Sequence, residues 1–198
     1  MMKLTRRALA VAWLALSAIS AQAQDKPPLK ILVGFPPGGS ADVIARLVAD
    51  ALRDDFNPVV VDNKPGAGGR IALNMVKVAK PDGQTVIVLP SGPMALFPHV
   101  YKKLDYDAVK DFTPVSQIAR FQFGVVSGPS TNVKNVAEMI AKAKSDPGNA
   151  SYGTPGAGTL PHFMGVLMEQ SAGISLNHVP FQGGAPANNA LLGGHIGY

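Results

Sequence analysis

The stretch Lys30-Ile-Leu-Val-Gly-Phe-Pro-Pro-Gly-Gly-Ser-Ala-Asp42 decides the fold. Its first residues, 30–34, form a short apolar run that ends at a glycine, which predicts a buried strand. The two prolines and two glycines at 36–39 then end the strand. Beyond it, five apolar residues recur at helical spacing: Ile44, Leu47, Val48, Ala51 and Leu52. The stretch therefore predicts a strand, a glycine-rich loop and a helix, in that order.

The same order recurs along the chain, which predicts an α/β fold. Continuous apolar strands separated by helices indicate parallel sheets covered on both faces. Further strands are predicted at 58–62, 85–89, 115–119, 121–126, 150–153 and 174–181. Further helices are predicted at 71–79, 93–100, 136–145, 160–168 and 187–192.

Two of these helices carry additional signals. Asn135, with Glu138 three residues later, resembles a capping box and predicts a helix start. In the helix at 160–168 the apolar residues follow the spacing of a core-facing helix. We therefore interpret Met164 and Met168 as core residues and not as ligand contacts.

The N-terminus predicts a secretory signal peptide over residues 1–23. Three basic residues, Lys3, Arg6 and Arg7, precede an uncharged apolar run at 8–19. Ala21-Gln22-Ala23 is a small-x-small cleavage pattern, so we expect cleavage after Ala23. Because the apolar run is shorter than the roughly 20 residues that span a bilayer, a membrane anchor is not favoured. We expect a soluble protein in the periplasm.

Composition and charge exclude several classes of function. Hydrophobic residues make up 46% of the 198 residues and charged residues 16%, which supports a real core and excludes a charged disordered chain. Without the three basic residues of the signal peptide, 15 basic residues face 13 acidic ones, a net charge of +2. With no basic cluster left, nucleic-acid binding is not expected.

Metal and cofactor sites are not predicted. The chain has no cysteine, so it has no disulfide, thiolate metal site or cysteine nucleophile. Its four histidines lack metal-binding spacing, and no nucleotide-binding glycine motif is present. The histidines are His99, His162, His178 and His195.

Two glycine-rich loops, at 34–42 and 153–162, share a pattern that is typical of anion sites. Each follows a predicted strand, combines proline with glycine, and reaches Ser40 or Thr159 in the position to cap a helix. Free backbone N–H groups and a hydroxyl at a positive helix end attract an anion. One such loop in each half of the chain predicts a cleft that grips a carboxylate from both sides.

At this level the chain resembles the periplasmic receptors of tripartite tricarboxylate transport systems, the Bug-type proteins. The resemblance rests on Val33-Gly-Phe-Pro-Pro-Gly-Gly-Ser-Ala-Asp42, Val61-Asp-Asn-Lys-Pro-Gly-Ala-Gly-Gly69, Pro81-Asp-Gly-Gln-Thr85, Tyr152-Gly-Thr-Pro-Gly-Ala-Gly-Thr159 with His162, Val179-Pro-Phe-Gln-Gly-Gly-Ala-Pro186 and Ala190-Leu-Leu-Gly-Gly194. It implies a two-lobed type II periplasmic-binding-protein fold, with a first lobe at 24–119 and a second at 120–198. It also implies a monomer that closes on a small carboxylate and delivers it to the membrane subunits of the transporter.

The candidate binding residues lie in both lobes. The first lobe contributes Phe35, Pro37, Gly38, Gly39, Ser40, Asp42 and Ser91, and the second contributes Gly156, Ala157, Gly158, Thr159, His162 and Phe181. Several roles stay open. Asp42 complements the helix dipole, orients loop amides or meets a polar group of the ligand. His162 either contacts the ligand or is packed in the core. Phe35 and Phe181 either line an apolar side of the ligand site or belong to the core.

Two alternatives remain beside the receptor. One is an exported hydrolase-like enzyme that uses Ser40 or His162, although no Ser–His–acid order can be assigned. The other is a non-functional fragment. The resembled family usually has Asp where this chain has Gly197, and it continues beyond the position of Tyr198. We therefore expect an incomplete second lobe.

Overall fold

The structure is a computed structural model that describes residues 26–198. The predicted signal peptide and its cleavage site lie outside the described residues. Within residues 26–198, no helix has the length and apolar character needed to cross a bilayer.

The first lobe contains a three-stranded parallel sheet. The central strand β1 (Leu29–Val33) lies between β2 (Val59–Asn63) and β3 (Thr85–Val88). Val33 is the register partner of both Asn63 and Val88, so the three strands end at the same edge of the sheet. The loops that follow them, including the predicted ligand loop after β1, are therefore brought together.

Helices cover this sheet as the apolar pattern predicts. They are α1 (Ser40–Ala51), α2 (Arg70–Lys77) after a 3₁₀ turn (Ala67–Gly69), α3 (Gly92–Ala95) and α4 (Phe97–Val100). Ala45 and Ala49 of α1 pack against the buried side chains of β1. Because β1 and α1 are packed together, both ends of the loop that connects them are held in place.

The second lobe contains two parallel strands, β4 (Ser151–Thr154) and β5 (Asn177–Pro180). Its helices are α5 (Val136–Ser145), α6 (Leu160–Ala172) and α7 (Gly184–Leu192), with a 3₁₀ turn at Pro147–Asn149. The predicted cap of α5 is confirmed, since Asn135 Oδ1 accepts the Glu138 N–H at 2.9 Å. The Glu138 carboxylate in turn accepts the Lys134 N–H.

The strands predicted at 115–119 and 121–126 are wrong, because the structure has neither helix nor strand there. A strand exists only beside a hydrogen-bonded neighbour, and both described sheets are formed without these residues. The apolar side chains that suggested strands are exposed instead, by 86% at Val115 and 48% at Phe121.

The core-facing orientation predicted for α6 is confirmed only in part. Met168 packs against the buried cluster that contains Met139 and Tyr152, and a Cβ on Gly165 would clash with the Tyr152 ring. Met164, however, is 38% exposed, and no residue of α6 is fully buried. Both methionines line an open cavity of about 190 Å³ that Met139 and Tyr152 also line, so the core on this side is incompletely filled.

The exposed connection between the lobes predicts the first site of proteolysis. Trypsin should cut after Arg120, because residues 113–127 are exposed and outside any regular element, so they fit a protease cleft without unfolding. Timed digestion with mass spectrometry measures the order of cuts. An earlier cut after Arg53 or Lys77, in the first lobe, would contradict this expectation.

Candidate functional site

The first candidate loop joins β1 to α1 through a left-handed glycine. Gly38 has φ +82°, a conformation that glycine adopts without strain. Gly39 then forms the N-cap with φ −79° and ψ 166°, and α1 begins at Ser40. The prediction of Ser40 as the capping residue is therefore wrong by one position. No side chain caps α1, so the N–H groups of its first turn point out of the helix without such a partner.

The second candidate loop repeats this backbone. Gly158 has φ +76°, and Thr159 forms the N-cap of α6 with φ −76° and ψ 164°. Thr159 occupies the predicted cap position, but its hydroxyl donates to the Gly156 carbonyl oxygen at 2.6 Å and leaves the helix N–H groups alone. The two loops are thus geometric counterparts, one in each lobe.

Asp42 holds the first loop in shape. The whole residue is 3% exposed. Its carboxylate accepts the Gly38 N–H at 2.9 Å, two N–H groups of Arg46 at 3.0 Å and the Asn63 side-chain amide at 2.9 Å. The same Asn63 amide donates to the Phe35 carbonyl oxygen at 3.0 Å. This network matches the role of Asp42 as a residue that orients loop amides.

The charge of Asp42 is stabilised where it lies. Burial alone raises the pKa of this carboxyl, but the hydrogen bonds from Arg46, Gly38 and Asn63 and the positive charge of Arg46 outweigh it. The pKa of Asp42 therefore lies below its usual value. Because the carboxylate is already paired with Arg46, its negative charge at the loop is largely compensated.

His162 holds the second loop by the equivalent bond. Its Nδ1 accepts the Gly158 N–H at 3.1 Å, and its ring stacks on His178 with centroids 4.1 Å apart. His178 Nε2 lies 2.6 Å from the Thr154 hydroxyl. Burial, followed by the neighbouring His162, lowers the pKa of His178. His178 and Thr154 therefore support the second loop, although neither was among the predicted site residues.

Tyr101 joins the two lobes at this site. Its hydroxyl donates to the Ala157 carbonyl oxygen of the second loop at 3.2 Å. Its ring lies under the guanidinium of Arg70, 4.4 Å from the ring centroid, and edge-on to Phe97. Sequence reasoning missed both residues, because no motif links Tyr101 to the second loop or Arg70 to Tyr101.

A second contact between the lobes lies beside the first loop. A Cβ on Gly183, just before α7, would stand 2.6 Å from Pro36 Cδ and 3.8 Å from the Phe35 ring. Only a glycine permits so close an approach. Together these contacts form the seam between the lobes, where the first loop meets Gly183, the second loop meets Tyr101, and Arg70 supplies a positive charge beside Tyr101.

The remaining predicted residues lie around this seam. Phe35 is 8% exposed and belongs to the first-lobe core, while the Phe181 ring lies beside Gly153. Ser91 is exposed after β3, and Pro37 and Ala157 are exposed in their loops. Across residues 26–198, no three His, Asp or Glu side chains cluster as metal ligands would.

Two α/β lobes whose loops meet at the carboxyl ends of parallel strands define a protein of the periplasmic-binding-protein class. The sequence profile of the tripartite tricarboxylate transporter family receptor matches residues 44–198. The chain belongs to this family, whose members are periplasmic solute-binding proteins.

Known relatives share both sequence and fold. A UPF0065 protein from Cupriavidus necator is 37% identical over 194 residues, which cover 96% of this chain and 59% of the relative. The periplasmic binding protein BugD superposes with a TM-score of 0.74 at 29% identity, over 87% of this chain and 57% of BugD. The chain therefore spans somewhat more than half the length of these relatives.

Two further solved structures contain ligands. MatC from Rhodopseudomonas palustris, solved with bound malate, has a TM-score of 0.75 and 28% identity, over 87% of this chain and 59% of MatC. Another R. palustris protein, solved with adipate, has a TM-score of 0.76 and 30% identity, over 88% of this chain and 58% of that protein.

Proposed function

We propose that the chain captures a small carboxylate at the seam between its lobes and serves as the receptor of a tripartite tricarboxylate-type transporter. The observation that carries the proposal is the matched pair of loops. Each presents the start of a helix of twelve or more residues, α1 or α6, at the edge of a parallel sheet. Two helix starts that face one seam suit an anion with a carboxylate for each lobe.

The chemistry of the seam supports a carboxylate over a cation. The negative charge of Asp42 is compensated by Arg46, and the guanidinium of Arg70 lies on Tyr101 at the seam. Structural neighbours solved with malate and adipate carry ligands of this class, both dicarboxylates. Among the candidate residues, Gly39 and Ser40 are proposed contacts because they form the uncapped start of α1. Ala157 is a proposed contact because it is exposed in the second loop at the seam.

The proposal includes export and a non-catalytic role. Cleavage after Ala23 would release the protein into the periplasm. The hydrolase-like alternative needs a base, but His162 already accepts a backbone N–H through Nδ1 and stacks on His178. A receptor of this kind binds its ligand without changing it.

Isothermal titration with adipate and malate tests the proposal. We expect saturable binding with one ligand per chain, and a ligand in hundredfold excess over Kd should stabilise the fold by about 2.7 kcal/mol in thermal unfolding. The matched control is adipamide, which has the length of adipate but no charge and should not bind. Equal binding of adipamide, or conversion of a bound acid to a product, would contradict the proposal.

A further inference from the structure

The two loops are fixed by the same bond to chemically different acceptors. In each loop a left-handed glycine donates its N–H to the side chain four residues later, from Gly38 to Asp42 and from Gly158 to His162. The N-cap backbone angles that follow agree within 3° in φ and 2° in ψ. At the glycine and at the N-cap, the loops therefore share their backbone and differ in their anchor.

The anchors respond differently to pH. The Asp42 carboxylate stays charged throughout the neutral and mildly acidic range, because Arg46, Gly38 and Asn63 all bond to it. His162 accepts the Gly158 N–H only when Nδ1 carries no proton, which places the proton of the neutral ring on Nε2. When the ring is protonated, two N–H groups face each other and the bond cannot form. Imidazole is the side-chain type whose charge changes in mild acid, whereas a carboxylate with several donors stays ionised there.

Several titratable or charged groups surround His162 and the second loop. His178 on β5 stacks on it at 4.1 Å, and Tyr152 on β4 lies against His178 with centroids 4.9 Å apart. Glu169 on α6 is the nearby acid, and Tyr101 reaches the second loop from the first lobe with Arg70 behind it. Burial and the neighbouring His162 ring lower the pKa of His178.

We propose that His162 is a positioning residue that holds the second loop when its ring is neutral and releases it when the ring is protonated. Carboxylate capture then weakens in mild acid through the second lobe alone, while the first loop stays fixed. This inference rests on the proposed function in that the second loop is taken as half of the ligand site. His162 acts through Gly158 and is not itself a contact of the ligand.

Amide hydrogen exchange measured by NMR tests the anchor without any ligand. Between pH 7.5 and pH 5.5, protection of the Gly158 N–H relative to its intrinsic exchange rate should fall about tenfold, the loss expected for one hydrogen bond. Protection of Gly38 should stay constant and serves as the internal control. In His162→Asn the side-chain oxygen keeps an acceptor that does not titrate, so Gly158 should stay protected at both pH values. Constant protection of Gly158 in the wild type, or the same fall in His162→Asn, would overturn the proposal.

Titration with adipate tests the consequence for binding. The wild type should lose about tenfold more affinity than His162→Asn between the two pH values. Protonation of adipate itself affects both proteins equally and cancels in this comparison. A wild-type affinity that rises in acid relative to the variant would assign His162 to the ligand as a cation and overturn the proposal. If adipate binds neither protein, the proposed function fails for this ligand, and the exchange experiment still decides the role of His162.

Discussion

Gly158→Ala should reduce the affinity for adipate by about 100-fold or more, whereas Gly38→Ala should reduce it about tenfold. Both glycines have the same left-handed backbone, so alanine causes similar strain at both positions. Their surroundings differ. A Cβ on Gly158 would stand 2.6 Å from the Tyr101 hydroxyl oxygen, while a Cβ on Gly38 meets no atom within 4 Å. The excess loss at Gly158 therefore measures the seam between the lobes.

The clash at Gly158 cannot be relieved by a simple side-chain rotation. The Tyr101 ring is held between the Arg70 guanidinium and the edge of Phe97. We expect the second lobe to move away from the first, which removes one half of the carboxylate site. Small-angle scattering should show a larger radius of gyration for Gly158→Ala than for Gly38→Ala.

A second substitution distinguishes the clash with Tyr101 from the backbone strain of alanine at position 158. Adding Tyr101→Ala to Gly158→Ala removes the clash and leaves the strain, so part of the affinity and the compact shape should return. If the double variant binds no better than Gly158→Ala, or if the two glycine variants lose equal affinity, the seam does not govern binding.

The first lobe could be predicted from sequence because each of its signals is local. The apolar run before Gly34, the breaker cluster and the helical spacing after it each fix one element, and parallel pairing follows from their order. The similarity of the two loops was also visible, since both join glycine to a hydroxyl residue before a helix. The structure adds the reason for their similarity, which is the bond from Gly38 or Gly158 to the side chain four residues later.

The middle of the chain could not be predicted in the same way. Alternating and continuous apolar runs at 115–126 match a strand, but pairing depends on a neighbour that local sequence does not reveal. Val115 and Phe121 are therefore exposed in the structure, not paired. Tyr101 was missed for a related reason. Its role comes from Ala157, 56 residues away, and no motif links the two positions.

The residue at which α1 begins could not be predicted from the sequence pattern either. Ser40 looked like a cap because serine often takes that position, yet Gly39 takes it. Asp42 fixes the loop through the Gly38 N–H, which sets where the helix begins. A buried carboxylate with several donors outweighs the capping preference of one hydroxyl.

Asp42→Ala should lower the free energy of unfolding by about 2–3 kcal/mol, whereas Asp50→Ala on the same helix should cost less than about 1 kcal/mol. Both carboxylates pair with an arginine, Asp42 with Arg46 at 3.0 Å and Asp50 with Arg53 at 2.7 Å. The Asp42 side chain is only 4% exposed, while that of Asp50 is 61% exposed. Removing Asp42 leaves the Gly38 N–H without its acceptor and removes one of the two acceptors of the Asn63 amide. Urea denaturation of the two variants measures the difference. Arg46 is 53% exposed and regains water, which keeps the loss below that of a fully buried pair.

The difference in the free energy of unfolding between wild type and Asp42→Ala should depend on pH, because the stabilisation comes from the charged carboxylate. Since the folded state lowers the pKa of Asp42, its carboxylate stabilises the fold above the unfolded pKa, near 4, and this stabilisation is lost as the pH falls through the folded value. The difference between wild type and Asp42→Ala should therefore be full at pH 7 and shrink below about pH 4. Asp42→Asn keeps the shape of the side chain but not its charge, so the difference in the free energy of unfolding between Asp42→Asn and Asp42→Ala should not change with pH. A gap between wild type and Asp42→Ala that is the same at pH 7 and at pH 3 would show that Asp42 stabilises the loop by packing, and that its charge does not hold the Gly38 N–H in place.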